Sequence, residues 1–306
     1  MKLSVVATLY RSAPYLEEFH RRVSLAARQL TDDYEIILVN DGSPDDSLAR
    51  AVTLTGADNH VIVVDLSRNF GHHKAMMAGL AQTRGERVFL LDSDLEEEPE
   101  WLLSFSEQMK SDECDVVYGV QDMRKGGAFE RWSGVWYYIL YRALTGLKVP
   151  YNITTARLMS RRYVDALMSF EEREIDIGGL WFITGFDQRP QVVKKHSTSE
   201  TSYTFSKKVA IIVNAITSFS NLPLIGIFYV GMSIFLTAGI YTTYLVVHWL
   251  LDSQAMSGWT SVMVSIWLLG GMILSAVGVV GIYLAKVFSE TKRRPNTIIR
   301  EIYGKQ

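Results

Sequence analysis

Residues 88–99 read VFLLDSDLEEEP. Val88, Phe89, Leu90 and Leu91 run without interruption into Asp92, Ser93 and Asp94. A short apolar run that stops at polar residues reads as a strand buried on both faces, as in a parallel sheet. Open α/β sheets gather ligands at the carboxyl ends of their strands. In an extended segment, Asp92 and Asp94 would share one face. Two carboxylates held together repel unless a cation lies between them, and Mg²⁺ and Mn²⁺ prefer such oxygens. Asp92 and Asp94 therefore read as a divalent-metal site that also holds a diphosphate. The plainer alternative is a strand-to-helix turn, with Ser93 or Asp94 as a helix cap.

Upstream, strands and helices alternate. Residues 3–10, 35–39 and 61–66 are apolar and read as strands. Leu16, Phe19, Val23, Ala26 and Leu30 recur at helical spacing within residues 14–30. A second helix runs through Leu48, Ala49 and Val52, and a third covers residues 74–83. This order predicts a parallel, doubly wound sheet. The polar candidates each follow a strand. In Asn40-Asp41-Gly42-Ser43, a carboxylate could accept from a nucleotide base and glycine permits close backbone approach. An Asx turn capping the next helix is the alternative. Arg68 suits either a diphosphate or a surface ion pair. Adjacent His72 and His73 diverge, which suits packing or hydrogen bonding better than metal ligation. Lys194, Lys195 and His196 are open between phosphate contact and solvation.

The chain has 306 residues and a formal net charge of -2, so no global basic field argues for nucleic acid. One cysteine, Cys114, excludes a disulfide framework; it reads as a small residue near a strand start. The first residues lack the apolar core of a signal peptide. Composition shifts near residue 221. Residues 222–251 and 259–285 contain no Asp, Glu, Lys or Arg, and each exceeds the roughly 20 residues that cross a bilayer. They predict a transmembrane hairpin. Lys207 and Lys208 precede it, Lys286, Lys292, Arg293 and Arg294 follow it, and the connecting loop has no basic residue. Both termini and the N-terminal domain are thus expected in the cytoplasm. The expected divisions are residues 1–205, a globular domain; 206–220, a juxtamembrane amphipathic helix; 221–288, the hairpin; and 289–306, a cytoplasmic tail. Within the first, residues 129–147 combine Arg131 and Arg142 with Trp132, Trp136 and several tyrosines, as suits an interfacial helix. Val209, Ile212, Val213 and Ile216 give residues 206–220 an apolar stripe, with Lys207 and Lys208 placed for anionic headgroups. Gly270, Gly271 and Gly278 suit either close helix contact in a homo-oligomer or positions facing lipid.

In order and spacing, these motifs resemble the membrane-anchored family 2 glycosyltransferases of the polyprenyl-phosphate sugar synthase type. That group includes dolichyl-phosphate mannose synthase and bacterial undecaprenyl-phosphate glucosyl and aminoarabinosyl transferases. The resemblance rests on VVATLY (5–10), VNDGSPD (39–45), SRNFGHHKA (67–75), DSDLEEEPE (92–100), RLMSRR (157–162), TSFS (217–220) and the hairpin. It implies an α/β GT-A fold, Rossmann-like with a mostly parallel sheet, followed by interfacial helices and a two-helix transmembrane hairpin. It further implies inverting transfer from a nucleoside-diphosphate sugar, a UDP-sugar by family precedent, to undecaprenyl phosphate. The place would be the cytoplasmic face of the bacterial inner membrane, in lipopolysaccharide or other cell-envelope biosynthesis.

By position, Asp41 matches the family's base-recognition carboxylate, with Thr8, Tyr10, Ser43, Arg68, Asp92 and Ser93 also on the nucleotide sugar. Asp92 and Asp94 match the metal pair for Mg²⁺ or Mn²⁺. Glu96 replaces the usual Gln as a third metal contact. Asp94 and Arg131 are the expected catalytic residues, and Arg131 and Arg142 the expected ligands of the lipid phosphate. Residues Ser199-Glu200-Thr201-Ser202-Tyr203 resemble a family loop that closes over the donor. One departure concerns the base. Thr154-Thr155-Ala156 stands where many relatives carry Gly-Asp-Phe, whose Asp is a candidate base. A phosphate acceptor is already largely ionised at neutral pH, so it needs positioning more than deprotonation. A polysaccharide synthase using a sugar hydroxyl would need the base, and the Gln-x-x-Arg-Trp of such enzymes lacks its Gln before Arg131-Trp132. The departure also suits a silent membrane scaffold that binds nucleotide sugar.

Overall fold

The computed structural model of the chain describes residues 1–121, 150, 152–172, 176–195, 220, 222–252 and 258–304. Its first strands, β1 (Leu3–Leu9), β2 (Tyr34–Asn40) and β3 (Val61–Leu66), are buried at every residue. Their lack of polar alternation follows from cover on both faces. Val5, Ala7, Leu9, Ile36 and Leu38 face one core with α1 (Leu16–Leu30), α2 (Ser47–Ala57) and α4 (Trp101–Ser111). Val6, Ile37 and Val39 face a second core with α3 (His72–Leu80), α5 (Arg161–Met168) and α6 (Ile177–Ile183). Each fully buried Val, Leu or Ile side chain contributes about 1.5–3 kcal/mol, so the two layers together hold the sheet in place.

The remaining strands are β4 (Arg87–Leu90), β5 (Val116–Gln121), β6 (Ile153–Ser160), β7 (Gln188–Val193) and β8 (Ile299–Tyr303). The sheet order is β7-β5-β6-β4-β1-β2-β3-β8. Strands β1 to β4 are parallel, as are β5 and β7. β6 runs antiparallel to β4 and β5, and β8 antiparallel to β3. The sheet is mixed and GT-A-like rather than uniformly parallel. The strand-helix alternation that argues for parallel pairing ends at α4, and β6 then enters between β4 and β5 from the opposite direction. In the RLMSRR stretch, Arg157 is fully buried with its guanidinium over the Trp181 ring. Arg161 donates to the Gly85 carbonyl, and Arg162 pairs with Asp115. These arginines hold β6 and α5 against their neighbours.

Two long helices follow: α7 (Leu222–Asp252) and α8 (Trp259–Thr291). Large apolar side chains stand exposed on both, including Phe228, Ile240, Ile273 and Leu274. Among the described residues, Leu269–Thr291 alone is long and apolar enough to cross a membrane, with 23 residues and mean hydropathy 1.9. Leu222–Ile234 is a shorter apolar stretch. The Tyr283 hydroxyl donates to the Ser220 carbonyl at 2.6 Å, so the later part of α8 lies beside the start of α7. The tail expected at 289–306 differs from expectation, because residues 299–303 form β8. Ile302 packs on the second core and Tyr303 on the first, which gives the segment a reason to join the sheet. The interfacial helix at 129–147 with Arg131 and Arg142, the donor loop at 199–203, and the juxtamembrane stretch 206–219 with Lys207 and Lys208 lie outside the described residues.

Candidate active site

The carboxyl ends of β1 to β4 meet along one edge of the sheet, and the loops leaving them bond to one another. The Ser93 hydroxyl donates to the Thr8 carbonyl at 2.8 Å and lies 2.9 Å from the Ser12 hydroxyl. Ser12 Oγ also accepts from the Tyr10 backbone N–H at 3.1 Å. The Arg11 N–H donates to Ser43 Oγ at 2.8 Å. Thr8, Tyr10, Ser43 and Ser93 are thus brought together, with the Tyr10 ring left half exposed.

On the β2 and β3 side, Asp41 is buried. Its Oδ1 accepts from the Phe70 N–H at 2.7 Å and its Oδ2 from the Gly71 N–H at 3.0 Å. Burial pushes its carboxyl up, and the two backbone donors oppose that rise. Gly42 has φ +60, and a Cβ there would lie 2.5 Å from the Asn69 nitrogen. Only glycine lets the two loops touch. Arg68 is exposed, with its guanidinium 4.1 Å from the Phe70 ring centre.

On the β4 side, the chain turns sharply instead of continuing extended. Leu95 adopts φ 60, in the left-handed region, and Asp94 Oδ1 accepts from the Glu96 N–H at 3.0 Å. The expected shared face of an extended Asp92-Ser93-Asp94 is therefore replaced by an Asx turn, which satisfies its own backbone. His72, at the start of α3, bridges β1 and this turn. Its Nδ1 is 3.0 Å from Thr8 Oγ1, and its Nε2 is 3.2 Å from Asp92 Oδ1. Glu97 is completely buried. It accepts from the Thr155 N–H at 2.9 Å and from the Asp92 N–H at 3.4 Å, tying the turn to β6. Lys195, just beyond β7, places its Nζ 3.4 Å from Glu96, 3.7 Å from Glu97 and 4.0 Å from Asp92.

This end of the site carries more negative than positive charge. Burial pushes Glu97 up to about 8, with the charge of Asp92 adding to the rise. Burial raises Asp94 as well, and Asp92 adds repulsion. Burial acts upward on Asp92 too, but the hydrogen bond and charge of His72, with Lys195, hold it below the ordinary range. Burial pulls Lys195 down, and the surrounding carboxylates outweigh it and raise the ammonium. Among the described residues, no three His, Cys, Asp or Glu side chains close into a formed metal cage. The donor chemistry of Asp92, Asp94 and Glu96 nevertheless fits a hard divalent cation, and Lys195 already supplies positive charge among them.

His72, Glu97 and Lys195 were not assigned from sequence to this cluster. The crowding of Asp92, Asp94, Glu96 and Glu97 signals that positive charge must come from elsewhere. It does not say that Lys195, a hundred positions on in the numbering, brings it.

The sequence pattern described as Glycosyl transferase family 2 matches residues 4–168. The chain belongs to this family. A Mycobacterium tuberculosis protein described as "Putative glycosyltransferases" is 49% identical over 304 residues, 99% of this chain and 89% of that protein. An Escherichia coli K12 "Prophage bactoprenol glucosyl transferase homolog" is 28% identical over 304 residues and covers 99% of each. The "Bactoprenol glucosyl transferase" of Shigella phage SfX is 28% identical over 302 residues, 98% of this chain and 99% of that one. As a family 2 glycosyltransferase, the chain is an enzyme class whose members move sugars from nucleotide donors.

Proposed function

We propose that this chain transfers a sugar, with inversion, from a nucleoside diphosphate, UDP by expectation, to undecaprenyl phosphate at the inner face of a bacterial membrane. One observation carries the reading. A surplus of buried and half-buried carboxylates at the end of β4 shares the sheet edge with a glycine-opened loop pair at the ends of β2 and β3. Relatives named as bactoprenol glucosyl transferases match along nearly their whole length, which favours a polyprenyl phosphate acceptor.

In this reading, Asp41 and Ser43 hold the nucleoside, with Thr8 and Tyr10 beside it. Arg68 swings from the Phe70 ring to the diphosphate. Asp92, Asp94 and Glu96 would hold Mg²⁺ or Mn²⁺, which when bound supplies positive charge for the departing diphosphate. Ser93 and Ser12 fix the turn that carries these carboxylates. The acceptor oxygen is already anionic, so Thr155 can stand where a base carboxylate is expected. Arg131 and Arg142 are assigned to the acceptor phosphate. In this reading the two uncharged runs, 222–251 and 259–285, form a hairpin through the bilayer, and the basic residues flanking it keep the catalytic domain and both termini cytoplasmic.

The test is label transfer by the purified full chain, with undecaprenyl phosphate and a panel of radiolabelled nucleotide sugars, with and without EDTA. Metal-dependent label in the organic phase is expected. Nucleotide binding without transfer from any donor would instead favour a silent scaffold.

A further inference from the structure

The segment after α8 does more than close the sheet. β8 begins at Ile299, after the short link of residues 292–298 that leaves α8 at Thr291. Asn296 in that link donates to the Glu172 carbonyl at 3.0 Å, so the link is tied to the domain. The strand pairs Val63 with Tyr303, Val64 with Ile302, Asp65 with Glu301 and Leu66 with Ile299. Arg300 is the extra residue between the last two pairs. A bulge of this kind re-aims a side chain. Here it sends the guanidinium to the base of both nucleotide loops. Arg300 Nη1 donates to Asp65 Oδ2 at 3.1 Å, and Nη2 donates to the Ser67 carbonyl at 2.7 Å.

Each contact continues into a loop. Asp65 is 1% exposed, and its other oxygen accepts from the Asn40 amide at 2.7 Å. Asn40 Oδ1 in turn accepts from the Ser43 N–H at 3.2 Å. Ser67 donates its own N–H to the Ile298 carbonyl at 2.8 Å and leads into Arg68. Beyond Arg68, the Phe70 and Gly71 N–H groups hold Asp41. A guanidinium fork suits this double task, because one planar group reaches a carboxylate and a carbonyl together. An edge strand needed only to cover β3 would require Ile302 and Tyr303, not a bulged arginine.

We infer that Arg300 is a positioning residue for the donor nucleotide, so that the strand following the apolar helix α8 completes the nucleotide site it does not touch. This rests on the reading of the Asp41 and Arg68 loops as the nucleotide site. Without Arg300, the Asn40–Ser43 and Ser67–Gly71 loops keep the Asp41 bonds but lose the anchor at their base, so the ligand must supply part of their order, which weakens binding without changing the reacting groups.

The experiment titrates UDP, GDP and dTDP calorimetrically into the purified full chain, takes the tightest as probe, and follows thermal unfolding in parallel. Arg300→Gln is expected to weaken probe binding about tenfold, the scale of one charge-assisted hydrogen bond. KM for the donor should rise while kcat at saturating donor stays within about twofold. Arg300→Lys, which keeps a charge for Asp65 but lacks the fork, should fall between wild type and Gln. It also serves if the Gln variant does not fold. Asp41→Ala reports on the underlying reading. If Asp41→Ala weakens the probe and the Arg300 variants do not, β8 is only edge cover and the inference fails alone. If neither variant changes binding, or the wild type binds no probe, the nucleotide-site reading fails with it. Parallel loss of kcat and melting temperature at constant KM would also overturn the inference.

Discussion

Asp41 follows β2 and the Asp92–Glu97 turn follows β4, at the same edge of the parallel strands, yet their charge is answered in different ways. Asp41 receives two backbone N–H groups from a single loop. Its partners are fixed dipoles from the loop after β3, one N–H to each oxygen, and lone pairs remain for a base. In the turn, Asp92 meets the imidazole of His72, and Asp92, Glu96 and Glu97 share the ammonium of Lys195. Those partners come from two elements, α3 and the segment after β7, and they leave the turn short of positive charge. A finished carboxylate suits recognition by shape and hydrogen bond. An underneutralised cluster suits capture of a cation and of the charge that develops on a leaving diphosphate.

The contrast can be broken at three points. The largest effect should follow loss of charge in the turn. Asp94→Asn should reduce label transfer at least 100-fold, since electrostatic stabilisation of a leaving group supplies several kcal/mol. Transfer at wild-type rate would show that the turn is not the reacting end. A smaller effect is expected at Lys195. Its removal deepens the negative field, so Lys195→Ala should tighten Mn²⁺ binding about tenfold, an interaction of a few kcal/mol at most for charges at this separation. Calorimetric titration of Mn²⁺ checks this; an unchanged Kd would mean the ammonium does not stand in for the metal's charge.

The smallest effect concerns pH. Glu97 titrates at about 8 in the fold, against 4.5 in its ordinary state. Between those values the folded chain keeps a proton that the unfolded chain has released. Its contribution to stability is therefore complete below about pH 4.5 and is lost as pH rises through 8. The depressed Asp92 acts in the opposite sense, losing its contribution as pH falls through its lowered value, which lies outside that window. Without added metal, melting temperature should fall from pH 5 to pH 8.5, and Glu97→Gln should flatten the fall. Equal slopes in both proteins would place the proton elsewhere.

Much of the β1 to β4 half was legible. Unbroken apolar strands, helical spacing at Leu16, Phe19 and Val23, and polar residues after each strand locate the sheet edge where Thr8, Asp41, Ser43, Asp92 and Ser93 meet. The hydrogen-bonding role expected for His72 is also what the structure shows. Beyond α4 the signal weakens. β6 has eight residues and β8 five, and the direction of each depends on which edge or gap in the sheet is open. Extended geometry at Asp92-Ser93-Asp94 was a fair inference from period two, but the Asp94 side chain competes for its own backbone and makes a turn. Lys195 was undecidable in sequence, because a lysine beside a strand end is equally at home in water or among carboxylates.

The sequence by itself determined the two-layered α/β core, the polar residues at the strand ends and the uncharged runs of residues 222–251 and 259–285. Each follows from composition and periodicity within a short window. Only the tertiary structure decided that Lys195 answers the acidic turn, that Glu97 ties it to Thr155, and that Arg300 reaches Asp65 and Ser67. Those partners lie far apart along the chain. Their meeting depends on sheet order, which is chosen by the burial of all strands together and by no local pattern.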